Sequence, residues 1–171
     1  GEPIGAFIET AQSLVRYQAG HFTPEEARAR TRKLVELAAR ECLVHGVTTF
    51  HDAGVGFSTV DLYKQMAEEG ALPVRLYVML GADSRALAER GAAYRMDGFA
   101  SNHLTVRTIK RLIDGALGAH GAWLLEPDAD LATGAANPAG LNTESLEEMK
   151  ATAKFAIENG FQLSTHAIGD R

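Results

Sequence analysis

The sequence predicts an α/β fold with a parallel sheet, and three observations support this prediction. Helical patterns alternate with short runs rich in Val, Ile and Thr, glycines mark the helix ends, and acids or histidines follow most of the apolar runs. Alternation of this kind requires crossover connections, which are right-handed between parallel strands. The pattern alone fits a doubly wound sheet and half of a (β/α)₈ barrel equally well, with about four strands in either case.

The first predicted element is a helix that begins in "HFTPEEARAR". Thr23 is a suitable N-cap, Pro24 suits the first helical position, and Glu26 completes a capping box. Apolar residues recur at helical spacing until Gly46, which can end the helix in a left-handed conformation. The β-branched run "VTTFHD" follows at once and predicts a short buried strand.

The same alternation continues through the rest of the chain. The further predicted elements are, in order, a helix "VDLYKQMAEEG" capped by Ser58 or Thr59, a strand "PVRLYVML", a helix "DSRALAERGAAY" weakened or ended by Gly91, a strand "LTVRTIKRLID", a helix "TESLEEMKATAKFAIENG" and a strand "FQLST". Residues 115–141 form a long connection before the last helix, and connections of that length are usually functional or disordered.

Lys110 is the unusual residue of the third predicted strand. If the segment is extended, Thr108 and Lys110 share a face, and a lysine aimed into a barrel needs a carboxylate partner, an anionic substrate or chemical conversion. The alternative is that "VRTIKRLI" is an amphipathic helix with Lys110 in water. The pattern leaves both interpretations open.

Reactive side chains gather where the predicted strands end, which is where parallel α/β folds place their sites. His51 and Asp52 end the first strand, Asp114 ends the third, and His166 and Asp170 follow the last. A neutral imidazole at position 166 suits a divalent metal or general base catalysis. A core histidine that bonds to the backbone is the alternative.

His120 and Trp123 lie in the long connection, within "GALGAHGAWLLEPDAD". A loop with these two residues near a strand end could cap a pocket. A solvent-facing Ω-loop held by one aromatic ring is the alternative.

Composition excludes several classes of function. The net charge of −5 argues against non-specific binding of nucleic acid, and no apolar run approaches the roughly 20 residues that span a bilayer. The single cysteine cannot form an intramolecular disulfide. No HExxH, paired-cysteine zinc motif, GxSxG or phosphate-binding glycine loop is present. We expect one domain over residues 1–171 and a cytoplasmic location.

Three blocks of the chain together resemble a known family. "GVTTFHDAG", "IKRLIDGALGAHGAWLLEPDADL" and "GFQLSTHAIGDR" are similar, in order and spacing, to blocks of the YtcJ-like metal-dependent amidohydrolases. This is the amidohydrolase_3 group, which includes N-substituted formamide deformylase. The opening "GEPIGAFIETA" resembles the segment just before the second barrel strand of that family.

The resemblance implies a partial (β/α)₈ barrel that covers about strands two to five. It implies hydrolysis of C–N bonds in small amide-type substrates with one or two divalent ions, of which zinc is the expected one. Lys110 matches a lysine that is carboxylated by CO₂ and bridges two metals, and His166 matches a metal ligand. The other candidate residues are expected to contact the substrate or to support the metal ligands; they are His51, Asp52, Asp114, His120, Trp123 and Asp170.

The resemblance also implies that part of the site is missing. The His-x-His of the first family strand does not occur in the chain, and the catalytic aspartate is expected beyond Arg171. We therefore expect a central fragment of a longer enzyme, inactive alone, in which a metal need not be bound. Exposed sheet edges of such a fragment predict self-association. The alternative function is a metal-free α/β binding module.

Overall fold

A computed structural model describes residues 22–131 and 134–171 of the chain. Within these ranges the chain forms two compact units. We call residues 22–111 and 150–164 the sheet unit, and residues 112–131, 134–149 and 165–171 the loop unit. The segment "GEPIGAFIETA" lies outside the described residues, and the expectation of a single domain over the chain stays a prediction.

Helices and strands alternate along most of the described chain. The helices are α1 (Pro24–Val44), α2 (Phe57–Glu68), α3 (Ser84–Arg90), the short α4 (Phe99–Asn102) and α5 (Leu146–Glu158). The strands are β1 (Thr49–Val55), β2 (Arg75–Leu80), β3 (Met96–Gly98), β4 (Leu104–Leu112) and β5 (Gln162–His166). None of the helices in the described ranges is both long enough and apolar enough to cross a membrane.

The strands form one sheet in the order β1-β2-β4-β3, and β5 also pairs with β4. The β1–β2 and β2–β4 pairs are parallel, which confirms the predicted α/β class with a parallel sheet. The sequence did not predict β3, a three-residue strand that pairs antiparallel to β4 through Met96 and Val106. A run that short carries too few residues for a period-two pattern to be visible.

The predicted capping of α1 is confirmed. The Thr23 hydroxyl accepts a hydrogen bond from the Glu26 backbone N–H at 3.2 Å, and the Thr23 N–H donates to the Glu26 carboxylate at 2.8 Å. Gly46 follows the helix with a φ of 75°, in the left-handed region. A capping box of this kind fixes the first turn because it satisfies two otherwise unpaired donors.

The predicted cap of α2 was wrong. The N-cap is Gly56 rather than Ser58 or Thr59, and no side chain caps the helix. Strand β1 continues to Val55, so only one residue separates the strand from the helix that begins at Phe57. Glycine is among the residues accepted at the N-cap, and the backbone of Gly56 is extended, with a φ of −77° and a ψ of 168°.

Gly91 ends α3, as predicted. The α-helix stops at Arg90 and a single 3₁₀ turn follows over Gly91–Tyr94. A Cβ atom at Gly91 would lie 2.8 Å from Cζ of Phe155, so the absence of a side chain also lets α5 pack closely. Both effects belong to the sheet unit.

Strand β4 decides between the two interpretations of Lys110: the segment is a strand, and the helix alternative was wrong. Its pairing with β2 shifts by one residue, because Val78 pairs with Val106 while Met79 pairs with Thr108. Arg107 is therefore the extra residue of a β-bulge. The bulge keeps Val106 and Ile109 on the core side despite their odd spacing, and both are 0% exposed.

The core of the sheet unit lies on the face that β2 and β4 present to the helices. Its most buried members are Val60, Met66, Val78, Leu80, Leu87, Leu104, Val106 and Ile109. Burial of such side chains stabilises the fold by roughly 1.5–3 kcal/mol each relative to exposure. The opposite face of the same strands is left for polar residues.

Candidate functional site

A row of polar side chains lies on the face of the sheet unit opposite the core. The His51 ring stacks on Tyr77 with 4.8 Å between ring centroids. The Tyr77 hydroxyl lies 2.8 Å from Oγ1 of Thr108 and 3.5 Å from Oε1 of Gln162. Thr108 is 1% exposed, so its hydroxyl must find this partner within the protein. Residues from β1, β2, β4 and β5 thus share one surface.

Lys110 follows Thr108 on the same face of β4 and is half-buried. Gly54 lies beside it with a φ of 126°, and a Cβ atom there would come within 3.3 Å of Cγ of Lys110. The glycine therefore provides room for the lysine stem. No carboxylate of the described residues forms an ion pair with Lys110. Of the three explanations for a lysine that points inward, a carboxylate partner is therefore not found within these ranges.

His51 and Asp52 are not brought together, because neighbouring residues of a strand point to opposite faces. Asp52 faces α2 and accepts a hydrogen bond of 2.7 Å from the Tyr63 hydroxyl. The pKa of the Tyr63 hydroxyl is raised, mainly because the side chain is buried and secondly because it donates this hydrogen bond to Asp52. The contact joins β1 to α2, while His51 remains exposed on the polar face.

Asp114 is the most buried ionisable group of the loop unit, at 1% exposure. Its carboxylate accepts hydrogen bonds from the backbone N–H groups of Gly169 at 2.6 Å, Trp123 at 3.0 Å and Ile168 at 3.1 Å. Burial by itself would raise the pKa of Asp114, but the three backbone donors together with His166 lower it below the ordinary value of 3.8. The residue is therefore an ionised clamp between three segments.

His166 lies directly against this clamp. Its Nε2 is 3.3 Å from the Gly115 carbonyl oxygen and 3.7 Å from Oδ1 of Asp114. A carbonyl can only accept, so this contact requires a proton on Nε2 and leaves Nδ1 as the lone-pair nitrogen of the neutral ring. Metal-binding histidines are commonly oriented in this way, by a carbonyl or a carboxylate on the other nitrogen.

Trp123 and Asp170 lie where the long connection meets the end of the chain. The Asp170 carboxylate accepts from the Leu125 N–H at 2.8 Å, and the Arg171 N–H donates to the Trp123 carbonyl at 3.2 Å. The Arg171 guanidinium also lies 5.7 Å from the centre of the Trp123 ring. These contacts fix the two segments together within the loop unit.

Sequence reasoning missed the part that Gly169 plays. A Cβ atom at position 169 would clash with the Trp123 carbonyl group and would lie 2.6 Å from the Trp123 backbone nitrogen. The short approach lets the Gly169 N–H reach Asp114. The glycine in "HAIGD" after a strand was the available signal, but only as a turn residue. Tyr77 was also missed, because its pattern is that of an ordinary half-buried strand residue.

His120 lies elsewhere in the loop unit. Its Nε2 is 3.1 Å from Oδ1 of Asp130, and its backbone has a φ of 55°. Within the described residues, it contributes to neither the Asp114 clamp nor the hydrogen bond of His166. Its sequence-based assignment to a substrate or supporting role therefore stays a prediction.

Comparison with known proteins gives one family and a small set of relatives. The model of the amidohydrolase family matches residues 1–171. The Arabidopsis thaliana protein LONG AFTER FAR-RED 3 is 27% identical over 183 residues, which cover 100% of this chain and 30% of that protein.

Two solved structures, both described as uncharacterized metal-dependent hydrolases, share the fold. They come from Pyrococcus furiosus and Pyrococcus horikoshii OT3, with TM-scores of 0.70 and 0.68 and 22% identity each. The matches cover 94% of this chain and 31% and 30% of those chains. The chain thus spans about 30% of the length of its relatives. Its sheet is consistent with the predicted partial (β/α)₈ barrel.

Proposed function

Because the chain belongs to the amidohydrolase family, we propose that it forms part of a metal-dependent hydrolase that cleaves C–N bonds of small amide-type substrates. Within that family we assign it to the YtcJ-like, formamide deformylase-like group on its three sequence blocks. The observation that carries the proposal is His166, whose Nε2 is held by the Gly115 carbonyl beside the buried Asp114. Nδ1 is then the nitrogen that can bind a metal.

His166 and Lys110 are the residues that we propose as ligands of a divalent cation, with zinc as the expected ion. Imidazole nitrogen and carbamate oxygen are both suitable donors for this metal. A bound divalent cation would supply Lewis acidity to polarise a scissile carbonyl and to activate water. Two protein ligands are fewer than the three of a typical catalytic zinc site, so we propose that the others come from outside this chain.

The half-buried amine of Lys110 must change its charge to act as a ligand. We propose that the ammonium first gives up one proton to water and that the neutral amine then reacts with CO₂. A bond forms between Nζ and the carbon, one C=O π bond of CO₂ opens to give the carboxylate, and Nζ gives up a second proton to water. The product is an anionic carbamate that attracts a cation where an ammonium would repel one. The lack of a carboxylate partner among the described residues, together with the room that Gly54 leaves, supports this conversion.

Asp114 has a positioning role in this proposal. At 1% exposure it is too buried to contact a substrate directly, and its bonds go to backbone N–H groups. Of the two roles expected from the sequence, support of a neighbouring ligand is therefore favoured over substrate contact. His51 and Trp123 are more exposed, and we propose that they contact the substrate.

The isolated chain is proposed to be inactive and to associate with itself. β1 lies at one end of the sheet that the described strands form, and two apolar side chains beside its edge are exposed, Phe50 on β1 at 47% and Leu34 on α1 at 56%. A cavity of about 290 Å³ separates α1 from this strand and is lined by Leu34, Val35, Cys42, Phe50 and Leu76 among others. Unpaired strand edges beside apolar surface favour pairing with another chain.

The deciding experiment uses the full-length protein that contains this chain. After expression with zinc or manganese and with bicarbonate, elemental analysis should find a divalent metal in the protein. The protein should hydrolyse one or more of three test substrates, formanilide, acetanilide and a cyclic ureide. A chelator should abolish that activity. Lys110→Ala should lower both metal content and turnover, and added formate or acetate should restore part of each by replacing the carbamate. Metal-free protein that binds an amide without cleaving it would support the binding module instead.

A further inference from the structure

A second group of metal-binding side chains lies in the long connection of the loop unit. His120, Asp128 and Asp130 each offer one ligand atom, and these atoms all lie within 4.8 Å of one another. The shortest described contact joins Nε2 of His120 to Oδ1 of Asp130 at 3.1 Å. Ligands that each lie about 2.0–2.2 Å from one small cation are at most about 4.4 Å apart. The His120–Asp130 contact already meets this limit, and a pair at the 4.8 Å bound would have to close by only about 0.4 Å.

Asp128 gives an independent reason to expect a cation. Its Oδ2 is buried, and no donor among the described residues bonds to it. The backbone of Asp128 is held in place, because its N–H donates to the Pro138 carbonyl at 2.8 Å. A buried carboxylate oxygen without a donor is costly, whereas coordination to a cation satisfies it.

His120 is held equally firmly on the other side of the group. It ends the short 3₁₀ turn Leu117–Ala119 in a left-handed conformation, with a φ of 55° and its N–H bonded to the Leu117 carbonyl at 2.9 Å. Gly121 continues the turn by donating to the Ala116 carbonyl at 3.0 Å. The backbone that carries the imidazole is therefore fixed by hydrogen bonds.

We propose that His120, Asp128 and Asp130 bind a divalent cation, separate from the one assigned to Lys110 and His166. A neutral imidazole with two carboxylates carries a charge of about −2, which matches a divalent ion. One nitrogen and two oxygens suit Zn²⁺ or Mn²⁺ better than Ca²⁺, which prefers six to eight oxygens. The ion joins the 117–120 turn to the 128–130 segment and so orders the connection. The inference does not depend on the proposed hydrolase activity.

The test measures binding of Zn²⁺ or Mn²⁺ alone, by calorimetric titration of the chelator-treated chain. The background is Lys110→Ala, His166→Ala, which removes the other assigned centre. One equivalent should still bind in this background, and Asp128→Asn or His120→Asn should weaken it by at least about tenfold. Asn at position 120 tolerates the left-handed conformation, so this variant keeps the turn.

A matched control is available on α1. His45 and Glu41 also form a histidine–carboxylate pair, at 2.9 Å, but both side chains are about 70% exposed, and among the described residues no third ligand is grouped with them. His45→Asn should leave the affinity unchanged. An equal loss in this variant, or no binding at millimolar metal in the background chain, would overturn the proposal.

Thermal unfolding gives a readout that does not depend on affinity alone. Without metal, Asp128→Asn should melt at a temperature equal to or above that of the starting chain, because the buried Oδ2 position, which has no donor among the described residues, no longer carries negative charge. With Zn²⁺ the starting chain should gain melting temperature and the variant should not. A variant that melts lower than the starting chain without metal would show that Asp128 has a protein partner, and would also overturn the proposal.

Discussion

Nε2 of His166 lies 3.7 Å from Oδ1 of Asp114, and only 2% of the Asp114 side chain is exposed, against 27% for His166. A buried carboxylate thus lies next to an imidazole that is partly exposed to solvent. The same carboxylate binds three backbone N–H groups from two separate segments. Removing it should therefore affect both the fold of the loop unit and the orientation of the histidine.

Asp114→Asn should lower the free energy of unfolding by about 2–3 kcal/mol, since charged hydrogen bonds to buried donors are lost. Urea denaturation followed by circular dichroism measures the change. Asp97→Asn is the matched control: Asp97 is 56% exposed and pairs loosely with Arg95 and Arg107 at 3.8 and 3.6 Å. Its effect should stay below about 0.5 kcal/mol, and equal effects would contradict the clamp.

The contribution of Asp114 should also depend on pH. Its pKa is lowered in the folded protein, so the unfolded chain takes up the proton first as the pH falls. The stabilisation is complete above the unfolded pKa of about 3.9 and decreases below it until the folded pKa is reached. The difference in unfolding free energy between the natural chain and Asp114→Asn should therefore narrow as the pH falls below about 4. A constant difference would contradict this.

The features that the sequence predicted are those that depend on neighbours along the chain. The capping box at Thr23, the end of α3 at Gly91 and the alternation of helices and strands all follow from local pattern. The position of His166 at the end of a strand was predictable for the same reason. Membership of the amidohydrolase family was also predicted, and it is confirmed.

The features that the sequence missed depend on distant partners. The bulge at Arg107 is set by the register of β4 against β2, which no single strand reveals. Asp52 and His51 are adjacent in sequence, yet Asp52 is engaged by Tyr63 on α2. Gly169 must be small because Trp123, far earlier in the chain, approaches its Cα. Single-sequence patterns contain no information on such contacts.

Tyr63→Phe should destabilise the sheet unit by about 1–2 kcal/mol, because it leaves the half-buried Asp52 carboxylate without its donor. Tyr94→Phe is the matched control, since the Tyr94 hydroxyl donates to the exposed Asp61 at a longer 3.2 Å. Water can replace that donor, so the control should change stability by less than about 0.5 kcal/mol. Urea denaturation compares the two, and the idea fails if Tyr94→Phe is the more damaging substitution.

Gly169→Ala should destabilise the loop unit by about 1–3 kcal/mol, because the new methyl group would displace the Trp123 backbone and pull the N–H away from Asp114. Gly118→Ala makes the same change where a Cβ atom meets nothing within 4 Å. That control should be neutral or slightly stabilising. Limited proteolysis of the 115–141 connection should accelerate only in Gly169→Ala. Equal cleavage of both variants would rule out the proposed close contact.

Self-association should depend on the apolar surface beside β1. Leu34 is 56% exposed and lines the cavity between α1 and that strand, so Leu34→Glu places a charge where a second copy would pack. Leu146→Glu is the matched control, because Leu146 is 61% exposed at the start of α5 in the loop unit. The measurement is light scattering coupled to size-exclusion chromatography at micromolar concentration. The natural chain and Leu146→Glu should be dimers or larger species, whereas Leu34→Glu should be a monomer. A natural chain that is already monomeric at these concentrations would refute self-association, and a Leu34→Glu protein that still associates would place the contact on another surface.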